Sequence, residues 1–406
     1  MLLDLIEIHN EITQRVPLAF KRYLTDFLNW NQRMITITGA RGVGKTTMVL
    51  QYYKQAYNDV SKCLYISADN PFVIKDGIFE LGIEYFKSGG KALIVDEIHK
   101  YPKWSLNIKA LYDSFPDKQI IILGSSKAEI LRSKGDLSRR TLIYNLKPMS
   151  FREYINFTMD RDFKPHKIKD IITNHMNIAQ SLVNEIDSII HAFHEYNKTG
   201  SFPFQKDYSE NEYHNILRNL LDKIVYEDIS ILHNMKKSSA IASKKLISYI
   251  AESTIPTINV SSICNDFDIS RDTFYTILDS LQRADFINVV TEEKKKNKSV
   301  AKGRVFFNSP NWYYALAKVF WTREANIGNI REAFFVSQLP QASSVFSSKT
   351  TDYEIITKDG RITAEIGGKG KSRKQLNKDD NSFLFKDDIE IGFQNIIPLY
   401  ICGFQY

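Results

Sequence analysis

One stretch near the N-terminus leaves the chain little freedom. The apolar run Met34-Ile-Thr-Ile-Thr38 leads straight into Gly39-Ala40-Arg41-Gly42-Val43-Gly44-Lys45-Thr46-Thr47, and MVLQYYKQAY follows with the spacing of a helix. Strand, glycine-rich turn and helix in that order are what the GxxxxGK[ST] pattern needs. The glycines let backbone N–H groups curl around phosphate oxygens, and the helix N-terminus adds a dipole that favours anions. Residues 39 to 47 are therefore expected to cradle ATP, with Lys45 on the β- and γ-phosphates and Thr46 ligating Mg²⁺. Four further apolar runs, CLYIS, KALIV, QIIIL and TLIYNL, are separated by segments long enough for crossovers. That alternation implies a multidomain α/β chain whose core is a parallel sheet with helices on its faces.

Lys91-Ala-Leu-Ile-Val-Asp96-Glu97 is a second informative stretch: a buried strand that ends in two acids. Carboxylates at such a strand end cost several kcal/mol unless a cation or hydrogen bonds compensate, roughly as expected for any buried charge, and Mg²⁺ with ATP supplies the cation. Asp96 is expected to hold the metal shell and Glu97 to polarise the attacking water. His99 and Trp104 follow closely, and as isolated residues after a strand they read as packing or surface positions. QIIILG ends in Ser125-Ser126, where a hydroxyl between the phosphate loop and the acids could sense the γ-phosphate. Arg139 and Arg140 are candidates to neutralise transition-state charge, in cis or from another subunit, or else are a solvated pair.

Composition sets outer limits. With 406 residues and 43% hydrophobic content there is apolar material for several cores. No run approaches the roughly 18 to 20 apolar residues of a membrane span, so no membrane partner is expected. The start, MLLDLIEIHNEITQRV, does not read as a signal peptide, and the three separated cysteines suit a reducing compartment, so a cytoplasmic location is expected. A net charge of +7 is modest for this length. Where the charges cluster matters more.

With these residues in hand, the chain resembles the prokaryotic AAA-type ATPases that carry a C-terminal winged helix and a restriction-endonuclease-like module. The matching stretches are TGARGVGKTT, VDEIHKYPKWS, GSSKAEIL, SRRTLIYNLKPMSFREYI, YNKTGSFPF, REAFFVSQLP and AEIGGK, which span nearly the whole chain. The resemblance implies a nucleotide site built from Asp96, Glu97, Ser126 and Arg140. It implies four parts: an ATPase core at 1–155, a helical lid or connector at 156–235, a winged helix at 236–320 and an endonuclease-like module at 321–406.

The residues of the later parts carry readings of their own. KKLISYIAES, NVSSICNDF and SRDTFYTILDSLQRADFI read as three helices, and INVVTEE, KKKNK and RVFFN as a hairpin with a basic tip. If this part binds double-stranded DNA, Arg271 and Thr273 face a groove, and Lys294, Lys295, Lys296 and Lys298 contact phosphates; a protein contact is the alternative. Farther on, Glu332 on a helix, Asp352 at a strand start and Glu365 in TAEI follow the order of a PD-(D/E)XK nuclease and could bind a second Mg²⁺. The lysine expected two residues after Glu365 is Gly367, and the nearest is Lys369. The expectation is a module that keeps the fold with weakened or lost cleavage, and EIIT, RITAEIGG and IPLYICGF are its strand candidates. Taken together these features predict an ATP-hydrolysing switch coupled to DNA or a protein partner, with self-association if an arginine acts in trans. An ATP-dependent nuclease and a non-hydrolysing ATP-bound interaction protein are the rival readings.

Overall fold

The computed structural model describes residues 2–125, 137, 139–229, 237–253, 257–293, 303–317, 324–340, 343–348, 350–358, 360–371 and 381–406. They fall into two compact units, Met1–Lys147 and Pro148–Tyr406. Among the described residues no helix is long and apolar enough to cross a membrane.

In the first unit, β1 (Met34–Thr38), β2 (Cys63–Ser67), β3 (Ala92–Asp96), β4 (Gln119–Gly124) and β5 (Leu142–Asn145) form one parallel sheet in the order β2-β3-β4-β1-β5. The first four are apolar almost end to end because helices cover both faces of such a sheet. Those covers come from α1 (Leu2–Gln14), the short α2 (Leu24–Phe27), α3 (Lys45–Ala56), α4 (Pro71–Asp76), α5 (Ile78–Lys87) and α6 (Trp104–Ser114). Apolar side chains such as Leu81, Tyr85, Ile108 and Leu111 pack with Leu93, Val95 and Ile122 of the sheet into one core. His9 of α1 closes the outer edge, its Nδ1 accepting the Tyr65 N–H of β2 at 3.0 Å. Because every strand runs the same way, the chain leaves β1, β3 and β4 at one edge. With β4 between the other two, Ser125 emerges between the phosphate loop and the acidic pair.

The second unit opens with α7 (Phe151–Met159), whose first turn is fixed by a capping box between Ser150 and Glu153. α8 (Ile168–Glu185), α9 (Ile189–Thr199) and α10 (Glu210–Lys223) follow. Next come α11 (Lys237–Glu252), α12 (Val260–Phe267), α13 (Arg271–Arg283) and an antiparallel pair, β6 (Ile287–Val290) with β7 (Arg304–Phe307). α14 (Asn311–Ala317) carries a buried hub. Asn311 accepts from Ser201 N–H and Tyr213 OH, and donates to the Tyr196 and Asn197 carbonyls, tying α9 and α10 to α14. α15 (Ile327–Gln338) then precedes a second five-stranded sheet, β12-β11-β10-β9-β8. Its strands are β8 (Ser344–Ser347), β9 (Tyr353–Thr357), β10 (Gly360–Gly367), β11 (Ser382–Lys386) and β12 (Ile396–Pro398). The first three are antiparallel neighbours and the last three parallel ones.

One strand expectation needs correction. IPLYICGF is a strand only to Pro398, after which Leu399–Phe404 winds into a buried 3₁₀ turn. Apolar residues on every side, here Leu399, Tyr400, Ile401 and Phe404, fit either geometry, so periodicity could not separate them. The two units divide at Lys147 and Pro148, and α7 packs inside the second, with the Phe151 ring 5.7 Å from that of Phe404.

Candidate functional site

The phosphate loop takes the shape its glycines permit. Gly39 (φ 148°) and Gly44 (φ 91°) occupy backbone conformations that side chains disfavour, and a Cβ on Gly39 would collide with the Leu146 carbonyl. α3 starts at Lys45, so its unpaired N–H groups face the loop. Lys45 is 7% exposed, and its Nζ donates to the loop's own Gly39 and Ala40 carbonyls at 2.7 and 3.0 Å. A residue that sequence reasoning missed braces this turn. The buried Arg22 guanidinium donates to the Val43 carbonyl inside the loop and, at 2.7 Å, to the Lys147 carbonyl. Nothing in the sequence distinguishes Arg22 from a surface arginine.

β3 delivers the acids to the same edge. Asp96 is 4% exposed, and its carboxylate accepts from Thr46 Oγ1 at 2.5 Å, Tyr65 OH at 3.2 Å and the Glu97 N–H at 2.7 Å. Glu97 sits in a left-handed conformation (φ 48°) that turns its carboxylate away from the strand direction. Burial and then the neighbouring Asp96 charge push the Glu97 carboxyl above its ordinary range, while Lys45, Arg41 and Lys100 pull it down. Among the described residues no lysine or arginine forms an ion pair with either acid; Lys100 pairs instead with Asp69 at 2.7 Å. His99 is the side chain that reaches Glu97, with Nε2 3.4 Å from Glu97 Oε2 and 3.2 Å from Ser125 Oγ. His99 is buried, as a packing residue would be, with these two polar neighbours, and Trp104 is buried in the core.

Arg139 and Arg140 are not brought to this site. Both precede β5, whose Leu142 pairs with Ile35 and whose Asn145 pairs with Thr38, so they lie at the opposite edge of the sheet. Four strand residues separate the edges, about 13 Å at 3.3 Å per residue. Arg140 instead forms a two-pronged bond to Asp113 of α6 at 2.9 and 3.0 Å, and a role for it in cis is excluded by position. Ser126 lies outside the described residues, as do Lys294, Lys295, Lys296 and Lys298. Arg271 and Thr273 stand in the first turn of α13, behind the Ser270 cap, with Arg271 Nη2 3.1 Å from Ser261 Oγ.

The second unit does gather Glu332, Asp352 and Glu365, from α15, the start of β9 and β10. The chain itself supplies their cations. Arg304 of β7 reaches Glu332 Oε2 at 2.6 Å and Asp352 Oδ1 at 3.2 Å. Lys371 Nζ sits among Glu365 Oε1 at 2.7 Å, the Ile366 carbonyl at 2.7 Å and Asp352 Oδ2 at 3.4 Å. The lysine beside Glu365 is therefore Lys371, not Lys369. It passes directly over Gly367, where a Cβ would stand 2.9 Å from Lys371 Cγ and 2.6 Å from its Cβ. Any side chain at the position where the nuclease pattern has its lysine would block this approach. A nearby trio, His194, Asp387 and Asp388, has donor atoms within 4.8 Å of one another, but Arg331 already bonds both aspartates.

Comparison with known proteins bears on the first unit. Residues 31–155 match a family model described as AAA domain, and residues 190–321 match a domain of unknown function, DUF8612. An uncharacterized protein of Methanocaldococcus jannaschii is 26% identical over 288 residues, 68% of this chain and 60% of that one. An uncharacterized protein of Haemophilus influenzae is 26% identical over 258 residues, 61% and 56% of the two chains. The match thus spans less than two thirds of either relative. The Aeropyrum pernix ORC1 protein in complex with DNA aligns with TM-score 0.29 and 11% identity over 80% of this chain and 90% of that one. AMPPCP-bound DnaA from Aquifex aeolicus aligns with TM-score 0.25 and 14% identity over 68% and 87%. Superpositions that loose bear on neither the fold nor the activity. Residues 31–155, with their phosphate loop and acid-tipped β3, are an AAA domain.

Proposed function

We propose that this chain binds ATP with Mg²⁺ and hydrolyses it as a nucleotide-dependent switch. The observation that carries the reading is the 2.5 Å bond between Thr46 Oγ1 and Asp96 Oδ2 at the mouth of the phosphate loop, beside a Glu97 whose carboxyl burial and the Asp96 charge push above its ordinary range. Two hard oxygen donors in contact suit Mg²⁺, which would neutralise phosphate charge when it arrives with ATP. Lys45 exchanges the Gly39 and Ala40 carbonyls for β- and γ-phosphate oxygens. Backbone N–H groups of residues 39–47 hold the same phosphates. Glu97 orients and polarises the attacking water, and a raised carboxyl pKa makes it a better base. Ser125 and Ser126 are assigned to sensing the γ-phosphate. Arg139 and Arg140, remote from their own loop, act on the nucleotide of a second copy.

The switch output is assigned to the second unit. Residues 156–235 serve as the connector, 236–320 as a winged helix whose Arg271, Thr273 and wing lysines contact double-stranded DNA or a protein, and 321–406 as an endonuclease-like module. Neutralisation of Glu332, Asp352 and Glu365 by Arg304 and Lys371 favours a non-cleaving role for that module. The test is ATP hydrolysis by wild type, Lys45→Ala and Glu97→Gln, with and without double-stranded DNA at two salt concentrations. Turnover lost in both variants and stimulated by DNA in a salt-sensitive way upholds the reading. Tight ATP binding without turnover under any condition overturns hydrolysis, and turnover indifferent to DNA moves the output to a protein partner.

A further inference from the structure

The phosphate loop leans on a cation that the GxxxxGK[ST] pattern does not include. Arg22 is 4% exposed and lies 21 positions before Val43, whose carbonyl accepts one arm of its guanidinium. The other arm donates at 2.7 Å to the Lys147 carbonyl, just past β5. That same exit segment also meets the far end of the loop. The Leu146 N–H donates to the Thr38 carbonyl at 2.8 Å, and the Leu146 carbonyl packs so closely on Gly39 that a Cβ there would collide with it. Tyr23 OH adds a bond to the Asn145 carbonyl at 3.3 Å. Arg22 therefore runs from a tethered backbone segment to the middle of the loop, and its planar fork has donors for both carbonyls at once.

We infer that Arg22 is a positioning residue that aims the Gly44 N–H at the β-phosphate by holding the Val43 carbonyl on the opposite side of the same peptide unit. The inference rests on the ATP-binding reading above. The Val43–Gly44 peptide is trans, so its C=O and N–H point in opposite directions. Pinning the carbonyl to the guanidinium outside the loop leaves the N–H facing into it. Gly44 tolerates the orientation because it has no Cβ to clash at φ 91°. A carbonyl bonded to a cation also polarises its own amide, which makes the N–H a stronger donor. Without the brace, this peptide plane is ordered only when the phosphate arrives, and that ordering weakens binding. ADP and ATP share the β-phosphate, so both feel the loss. A lysine at position 22 would keep the charge but reach one carbonyl at a time, leaving either the loop or the anchor untied.

Val43-Gly44 is the single Val–Gly pair in the sequence. Full-length protein made by cell-free synthesis with carbonyl-¹³C valine and ¹⁵N glycine therefore gives one carbonyl-coupled amide signal, that of this peptide. It is recorded without nucleotide, with MgADP and with a Mg-bound non-hydrolysable ATP analogue, for wild type, Arg22→Met and Arg22→Lys. A fluorescent nucleotide reports affinity, and chemical unfolding without nucleotide reports stability. The expected result is a downfield move of the wild-type Gly44 N–H with both nucleotides. Arg22→Met loses most of that move and binds both nucleotides about tenfold more weakly, and its loss of turnover falls on KM more than on kcat. Arg22→Lys stands between the two in amide response and affinity. A wild-type Gly44 amide that a bound nucleotide leaves unmoved, or an Arg22→Met chain with the wild-type response and affinity, overturns the inference and leaves ATP binding standing. Should Arg22→Met fail to fold, Arg22→Lys decides, and a wild-type response and affinity there overturns it equally. Failure of wild type to bind either nucleotide would remove the parent reading and the inference together.

Discussion

The molecule gathers carboxylates twice and treats them in opposite ways. In the second unit Glu332, Asp352 and Glu365 meet two cations of the same chain, Arg304 and Lys371. In the first unit Asp96 is satisfied by hydroxyls and an N–H, and among the described residues Glu97 forms no ion pair with a lysine or arginine. Burying acids is costly in both places. One cluster settles that cost internally and becomes a structural joint among β7, α15 and the second sheet. The other lies at the phosphate loop, where the proposed metal and a second copy's arginine would supply the charge. A cluster of acids is thus read less from the acids than from who supplies the charge.

The largest expected effect falls on the open cluster. Glu97→Gln removes the base and keeps the shape, so turnover should drop by about a hundredfold or more while ATP binding stays or tightens; this is measured as kcat beside nucleotide affinity. A variant that loses binding as well would make Glu97 a ligand of the fold and erase the contrast. Next comes the source of the positive charge. Arg139→Ala/Arg140→Ala and Lys45→Ala chains should each be inactive alone. Mixed in equal amounts at concentrations where copies associate, they should recover part of the wild-type rate, because one supplies the loop and the other the arginines. No recovery would leave the open cluster without its proposed external arginine.

The filled cluster should answer in stability instead. Arg304→Met leaves Glu332 and Asp352 facing each other, both less than a fifth exposed, and should cost the second unit about 3 kcal/mol in chemical unfolding. ATP affinity should not change. In Arg304→Met/Lys371→Ala, millimolar Mn²⁺ should restore part of the lost stability, since an external cation then does what the two side chains did. A wild type stabilised equally by Mn²⁺ would show that the internal cations never closed the site.

How much of this was legible in the sequence follows the same division. The loop Gly39–Thr47 and the strand ending in Asp96 are contiguous, so their chemistry is local and readable, and all five strands of the first sheet appear where apolar runs announced them. The gathering of Glu332, Asp352 and Glu365 was also legible, because order along the chain suggested it. What fills that cluster was not. Arg304 lies 28 positions before Glu332, and Lys371 reaches Glu365 only because Gly367 clears its way. His99 and Arg22 were missed for a related reason: their meaning lies in which carbonyl or hydroxyl the fold sets beside them. Arg140 shows the converse, a residue whose spacing fits a cis role until the parallel sheet places it at the wrong edge.

The smallest effect extends the opposition to histidines. His9, in the first unit, is buried without a counter-charge, and its pKa is pushed down to about 4 from 6.5. Its Nδ1 must stay unprotonated to accept the Tyr65 N–H. The unfolded chain binds a proton at His9 below 6.5 and the folded one does not until about 4. This contribution is complete above 6.5 and declines as pH falls, by about 1.4 kcal/mol at pH 5.5. His194, in the second unit, is supplied with charge: its bond to Asp387, with Asp388 beside it, raises its pKa. Its contribution is complete below its unfolded value and fades as pH rises through the raised one. Between pH 7.5 and 5.5, protection factors, with the intrinsic pH dependence of exchange divided out, should therefore fall in the core of the first unit and rise around α9 and the end of β11 in the second. His9→Asn, whose Oδ1 can accept from Tyr65 without titrating, should flatten the first trend, and His194→Gln the second. Parallel trends in both units would mean that burial, rather than the supply of charge, governs the difference between them.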